Sequence, residues 1–455
     1  MNYIKSKFAD IFGLITRGHE RSVKAKKNIL ASFVIKGLSI GISLVLVPLT
    51  INYVNPSRYG VWLTLSSMVS WFSFFDIGFG NGLRNKFAEA RARGEDELAK
   101  IYVSTTYAIL SIIIVTVLIL FIFINPYLNW PKILNTIPDM AGELSILAAI
   151  VFVFFCLRFI FQLLTTVLTA NQEPAKASFF DFLGNFFSLV IIFLLTKTTA
   201  GNLIYLGTVL SFVPVLVLII ASFWYFSRDY KKFAPSFKFI KLGYARNLMS
   251  IGIKFFIIQI AALVLFNTNN IIITQLFGPE EVTTFNIAFK LFSVVTMIFF
   301  IIATPLWSAF TDAYVKNDFE WIKTVLSKMR KIWYLLILFS IMLLVASPLI
   351  YRLWIGDSVK VPFALSMAMC SYVIVYIWQT IHVFFLNGIG RIKLQLYLVI
   401  VTGLLNIPLA IFLGKKIGLV GVTLTSTLLF IIMGIFFSVQ TRKILNKTAT
   451  KIWNK

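Results

Sequence analysis

Acidic residues, cysteine and histidine are all scarce in this chain. Its 455 residues hold 18 Asp and Glu against 42 Lys and Arg, with two Cys and two His, for a net charge of +24. Cys156 and Cys370 each lie inside an apolar stretch, which argues against a structural disulfide or a cysteine-based metal site. His19 and His382 are far apart, no Asp-x-Asp pair occurs, and neither G-x-S-x-G nor a P-loop is present. The usual motifs of hydrolases, metalloenzymes and nucleotide enzymes are therefore missing. The basic excess does not make a nucleic-acid binder, which would gather its cations on one face of a polar domain. Here 59% of residues are hydrophobic and the mean hydropathy is +0.88. No cofactor and no nucleic-acid partner are expected.

What the chain has is long apolar runs. A bilayer core about 30 Å thick needs about 20 mainly apolar residues per helix. Twelve such runs lie near 28–54, 59–82, 101–125, 142–170, 178–197, 202–226, 249–276, 283–310, 333–351, 361–387, 394–414 and 418–440. Lys24, Lys26 and Lys27 lead straight into the first run, with no cleavable leader in view. Ahead of it, Ile4, Phe8, Ile11, Phe12 and Ile15 alternate with basic residues at helical spacing. Residues 1–27 thus read as a helix lying on the membrane surface.

The cations are sorted by loop. Of the 42 Lys and Arg, 31 fall in the two termini and every second connection, 7 in the other connections and 4 inside the runs. The positive-inside rule then places both termini in the cytoplasm and requires an even number of spans. The basic connection 228–248, with Pro235, divides the runs six and six. The halves are related by an offset of 223 residues, which carries Pro56 to Pro279, Leu83 to Leu306, Phe87 to Phe310, Ala90 to Ala313, Glu97 to Glu320 and Lys100 to Lys323. The reading is an all-α integral membrane protein of about twelve transmembrane helices in two parallel six-helix lobes around a central cleft. Its parts are a surface helix at 1–27, a first lobe at 28–227, a basic linker at 228–248, a second lobe at 249–440 and a basic tail at 441–455.

Ionisable groups inside the runs are costly in lipid, so each is a candidate for the cleft or for a partner. Lys36 and Lys254 stand at matching depths; they line the cleft or snorkel to headgroups. Arg158 is mid-run and reaches the cleft or pairs with a carboxylate, Asp181 being one. Lys290 lies about two turns from a run's end, again in the cleft or snorkelling. Arg84 closes the second run as a topology anchor or a first phosphate contact. Asp76 precedes Gly78, Gly80 and Gly82, where it binds a coupling ion or pairs with Arg84. The excess of cations favours an anionic cargo. Gln259 and the cluster Asn267, Asn269 and Asn270 either line a polar cavity suited to sugar hydroxyls or bond between helices. The acidic knot Glu95-Asp96-Glu97 reads as solvated.

The stretch from Pro48 through Asn55-Pro56-Ser57-Arg58-Tyr59-Gly60 to Asp76-x-Gly78 and Leu83-Arg84 resembles the O-antigen-type polysaccharide transporters. They belong to the multidrug/oligosaccharidyl-lipid/polysaccharide (MOP) exporter superfamily. Gly278-Pro279-Glu280-Glu281 and the turn Asn387-Gly388 to Lys393 fit as well, whereas Asn55-Pro56 departs from a common Leu-Gly. The resemblance implies a MATE-like fold and a flippase, not an enzyme. It would move polyprenyl-diphosphate-linked oligosaccharide across a bacterial inner membrane, with H+ or Na+ as candidate coupling ion and a monomer as the expected unit. Lys36, Arg158, Lys254, Arg84 and Lys290 then become diphosphate contacts, Gln259, Asn267, Asn269 and Asn270 sugar contacts, and Asp76 and Asp181 coupling or structural carboxylates. The rival readings are a cation-coupled multidrug exporter and, further off, a membrane oligosaccharide polymerase or ligase.

Overall fold

The computed structural model describes residues 20–72, 79–171, 173–245, 248, 268–304, 306, 310, 313–314 and 316–454. Among them there are helices and no strands. In lipid every backbone N–H and C=O must be satisfied within its own segment, and an apolar run has only the helix to satisfy them. The first lobe comprises α1 (Glu20–Val54), α2 (Pro56–Ser70), α3 (Phe79–Ala92), α4 (Asp96–Ile124), α5 (Trp130–Leu134), α6 (Ala141–Phe161), α7 (Leu163–Ala170), α8 (Pro174–Thr198) and α9 (Leu203–Ser227). The second holds a helical segment at 268–277, then α10 (Pro279–Ala303), α11 (Phe319–Ile355), α12 (Phe363–Gly388) and α13 (Lys393–Leu445).

Nine helices among the described residues are long and apolar enough to cross a membrane. The last, α13, breaks at Ile417 and Gly418 and so makes two passes, meeting the expected runs at 394–414 and 418–440. Gly418 sits at φ 66°, where a side chain would be strained. The second, seventh and eighth runs each contain residues outside the described set. Two boundaries differ from the sequence reading. Helix α1 is already helical at Glu20, ahead of the run expected from 28, while residues 1–19 of the expected surface helix lie outside the described residues; the run at 142–170 is divided at Gln162 into α6 and α7. The membrane-facing surface is plain on α11, where Leu335, Leu338, Met342, Val345, Leu349 and Leu353 are exposed at spacings of three and four. Such a stripe is stable against lipid and not against water.

The 223-residue repeat is visible in the backbone. Asn55 and its counterpart Gly278 have φ of 75° and 95°, and Gly94 and Asn317 have φ of 76° and 58°. Glu95 N–H donates to the carbonyl of Ala90 at 2.9 Å, and Asp318 N–H to that of Ala313 at 2.9 Å. Phe87 and Phe310 are both fully buried. Equal turns at equal offsets are what two copies of one helical unit produce.

The linker at 228–245 folds back onto the first lobe. Lys232 pairs with Asp96 at 2.7 Å, and Arg91 pairs with the same carboxylate. Asp96 is therefore clamped rather than simply solvated. Ser236 and Lys241 donate backbone N–H groups to Ser104 and Thr105 on α4. Tyr230 donates to Glu173 at 2.9 Å and accepts from Asn171. Burial, with the Glu173 carboxylate beside it, pushes its phenol up. On α3, the hydrogen bond from Lys86 and the charge of Arg93 hold the Glu89 carboxyl below its usual range.

Candidate functional site between the lobes

The two lobes meet along a polar seam at the end remote from the basic loops. Helices α2 and α10 cross there by their first turns. Thr283 donates to the carbonyl of Pro56 at 2.7 Å. A Cβ on Gly60 would lie 1.6 Å from the carbonyl oxygen of Pro279, so only glycine permits this approach. Thr283 is the repeat counterpart of Gly60, and Pro279 that of Pro56. The contact is therefore reciprocal, as expected about a pseudo-twofold axis.

The seam continues inward. The hydroxyls of Thr64 and Thr274 are 2.6 Å apart, and Asn270 donates to Ser67 at 2.7 Å. On its flanks Asn135 reaches the Thr274 carbonyl at 2.9 Å, Gln275 the Lys132 carbonyl at 3.1 Å and Trp354 the Leu44 carbonyl at 2.8 Å. From Pro56 to Ser67 is about 16 Å along a helix, or half of a hydrocarbon core about 30 Å thick. The seam closes one half of the interface down to the membrane's middle.

A cavity of about 340 Å³ begins where the seam ends. Helix α2 contributes Ser66, Ser67 and Ser70, the segment 268–277 contributes Asn269 and Asn270, and α10 contributes Phe285, Asn286 and Phe289. Tyr372 of α12 and Thr423 and Ser426 of α13 close the wall. Asn286 donates to Asn270 at 2.9 Å, and Asn269 to Ser426 at 3.4 Å. Ser66 Oγ and Asn269 Oδ1 are buried with no hydrogen-bond partner among the described residues. A buried polar atom left in this state favours a ligand that supplies the missing bond. No described lining residue carries a charge, and no group of three or more His, Cys, Asp or Glu capable of holding a metal occurs among the described residues.

Of the residues singled out from sequence, Asn269 and Asn270 stand in this cavity. Lys254, Gln259, Asn267 and Asp76 lie outside the described residues. Lys36 is exposed on α1, with open space at the neighbouring Gly37 and Gly41. Arg84 is exposed on α3. Arg158 on α6 lies 3.5 Å from Asp181 on α8, so its charge is spent on a carboxylate within the first lobe. Lys290 is half-buried on α10, one turn beyond Asn286, and makes no ion pair among the described residues. It is the repeat counterpart of Ser67, which lines the cavity from the other lobe. The sequence reading missed Ser66, Ser67, Ser70, Asn286, Tyr372 and Ser426, because single polar residues scattered along apolar helices carry no pattern.

The Arg158–Asp181 pair supports a stability prediction. Arg158→Gln strands a carboxylate in the membrane, where one ionised group costs about 2.5–3.5 kcal/mol. The single variant should lose several degrees in Tm. The Arg158→Gln/Asp181→Asn double variant should recover most of that loss in a thermal-shift measurement. A double variant no better than the single would mean the two groups do not compensate each other.

A family model described as "Polysaccharide biosynthesis protein" matches residues 25–311, and a second, MatE, matches residues 255–412. The chain is 22% identical over 362 residues to a "Putative O-antigen export protein" of Yersinia pseudotuberculosis, covering 78% of this chain and 81% of that one. It is 22% identical over 296 residues to a "Putative O-antigen transporter" of Salmonella typhi, covering 64% and 66%. Among solved structures, an inward-facing multidrug resistance MATE family transporter of the MOP superfamily superposes with a TM-score of 0.69 at 16% identity, over 91% of this chain and 96% of that one. The outward-facing form of such a transporter superposes at 0.68 and 15% identity, over 96% and 98%. At these identities the superpositions establish a shared fold.

Proposed function

Because this chain belongs to the polysaccharide biosynthesis protein family, as a multi-pass transporter of the MOP superfamily, we propose that its cargo is a polyprenyl-diphosphate-linked oligosaccharide. It carries that lipid from the cytoplasmic to the periplasmic leaflet of a bacterial inner membrane. The charge asymmetry of the loops supports placing both termini in the cytoplasm. The seam between α2 and α10 then closes the periplasmic half, and the cavity below it is the site reached from the cytoplasm. The lobes rock about this site, the seam parting as the opposite half closes.

The observation that carries this reading is the chemistry of the cavity. Amides and hydroxyls from both lobes line it, two buried oxygens lack partners among the described residues, and aromatic rings stand beside them. Sugar hydroxyls supply donors and acceptors to such groups, and ring faces accept the apolar faces of pyranoses. A cationic drug would call for a carboxylate, and the described lining offers none. The polyprenyl chain stays in the bilayer, and the diphosphate lies beside the sugar within reach of Lys290. Lys36, Lys254 and Arg84 are its proposed contacts on the way in. Arg158, already neutralised, contributes little unless Asp181 takes up a coupling ion; Asp76 is the other proposed coupling carboxylate.

Proteoliposomes loaded with a fluorescent polyprenyl-diphosphate oligosaccharide, read by a leaflet-impermeant quencher, test the assignment. Flipping should require both the sugar and the diphosphate. Lys290→Gln should slow it about 10- to 100-fold, in line with the loss of one charge-assisted contact of about 1.5–3 kcal/mol. Transport of a cationic dye without transport of the lipid-linked sugar would overturn the reading, and an unchanged Lys290→Gln rate would remove that residue from the site.

A further inference from the structure

A second cavity, of about 540 Å³, lies within the second lobe at the end that carries the basic loops. Helices α11, α12 and the last turns of α13 enclose it. Three cations face it: Lys323 and Arg330 from α11, and Arg442 from α13. No carboxylate is among its described lining residues. Lys323 has Glu320 at 2.8 Å, while Arg330 and Arg442 make no ion pair among the described residues. Residues 323, 326 and 330 share one face of α11, as spacings of three and four dictate.

The floor of this pocket is apolar. Trp378 lies against Gly434, where a Cβ would come within 2.3 Å of the indole. Leu326, Ile381 and Val439 continue the wall, and Val439 is exposed on the membrane side of α13. Between floor and rim stands His382, buried, with Nδ1 3.2 Å from the Thr441 hydroxyl. The pocket therefore joins an apolar wall to a rim of three cations, two of which, Arg330 and Arg442, have no ion pair among the described residues. It shares no residue with the neutral cavity between the lobes.

We propose that this pocket binds the phosphate of an anionic phospholipid headgroup, with an acyl chain along the Leu326–Val439 wall. Clustered like charges repel one another until an anion enters, and basic pockets between transmembrane helices at the cytoplasmic surface suit phosphate headgroups. The bound lipid fastens the second lobe to the cytoplasmic leaflet while the first lobe moves against it. The proposal rests on the sidedness taken above and is independent of the cargo.

The test uses the full-length protein in phosphatidylcholine nanodiscs, with retained lipid counted by native mass spectrometry and no cargo present. Titrated phosphatidylglycerol should be retained in preference to phosphatidylcholine. Arg330→Gln/Arg442→Gln should weaken that retention about 30-fold, the effect of two cations at a membrane surface. Lys328→Gln/Lys443→Gln removes the same charge from the same end but outside the pocket; Lys443 lies 4.5 Å from the Trp453 ring. That control should leave retention unchanged. Inorganic phosphate at millimolar concentration distinguishes the source of the group: lipid that stays bound assigns the pocket to a headgroup with its chain, and lipid displaced assigns it to phosphate of either origin. Equal loss in both double variants, or phosphatidylcholine retained as well as phosphatidylglycerol by the unaltered protein, would overturn the proposal. The lipid comparison in the unaltered protein needs no variant to fold.

Discussion

Oxidation of a Thr64→Cys/Thr274→Cys variant is expected to stop transport, and reduction to restore it. The two hydroxyls are 2.6 Å apart and belong to different lobes. They sit in the middle of the seam that must part for the cavity to face the other leaflet. A covalent bond there removes one of the two states that alternating access requires, so turnover of the oxidised fraction should fall about 100-fold or more. The native Cys156 and Cys370 are both buried and offer little competition for the cross-link. Transport by protein whose disulfide is proven by mass would mean that α2 and the 268–277 segment move as one body. Gly60→Val probes the same seam from the opposite direction. Its side chain has no room beside the Pro279 carbonyl, so the seam should fail to close. The 64/274 cysteines should then cross-link poorly, and transport should fall about tenfold.

Asn270→Leu should cost far more activity than stability. Asn270 donates to Ser67 and accepts from Asn286, which makes it the hub of the cavity's hydrogen bonds. Interhelical hydrogen bonds in membranes average about 0.6 kcal/mol, so losing two lowers stability by about 1 kcal/mol. A sugar hydroxyl left facing leucine loses its partner while desolvated, at about 1–3 kcal/mol per unmet group. With the bonds from Asn270 to Ser67 and from Asn286 to Asn270 lost as well, transport should fall about 30–100-fold. Flipping measured in proteoliposomes, together with a melting curve of the same preparation, separates the two effects. A variant that melts normally and still flips the lipid-linked sugar at full rate would remove the central amides from the transport path.

Part of this molecule is legible residue by residue. Pro56 and Pro279, Gly94 and Asn317, and Glu95 and Asp318 mark equivalent turns, and the 223-residue offset could be read before any coordinate because turn chemistry is local. Asn269 and Asn270 were visible as a polar cluster interrupting an apolar run. Ser67, Asn286 and Ser426 were not, because each is an isolated polar residue whose meaning comes from partners many residues away. Arg158 could be read as unable to stay alone in lipid. That Asp181 answers it, rather than the cleft, required the packing of α6 beside α8.

The amino-acid sequence alone determined the all-helical membrane class, the two related halves and the asymmetry of charge between their loops. Each depends on local composition and period, because lipid forces an apolar segment to satisfy its own backbone. Tertiary structure decided which half of the interface is closed, where the cavity lies and that its described lining is neutral. Those features come from side chains on helices of different lobes meeting at particular depths and rotations, which no single run encodes.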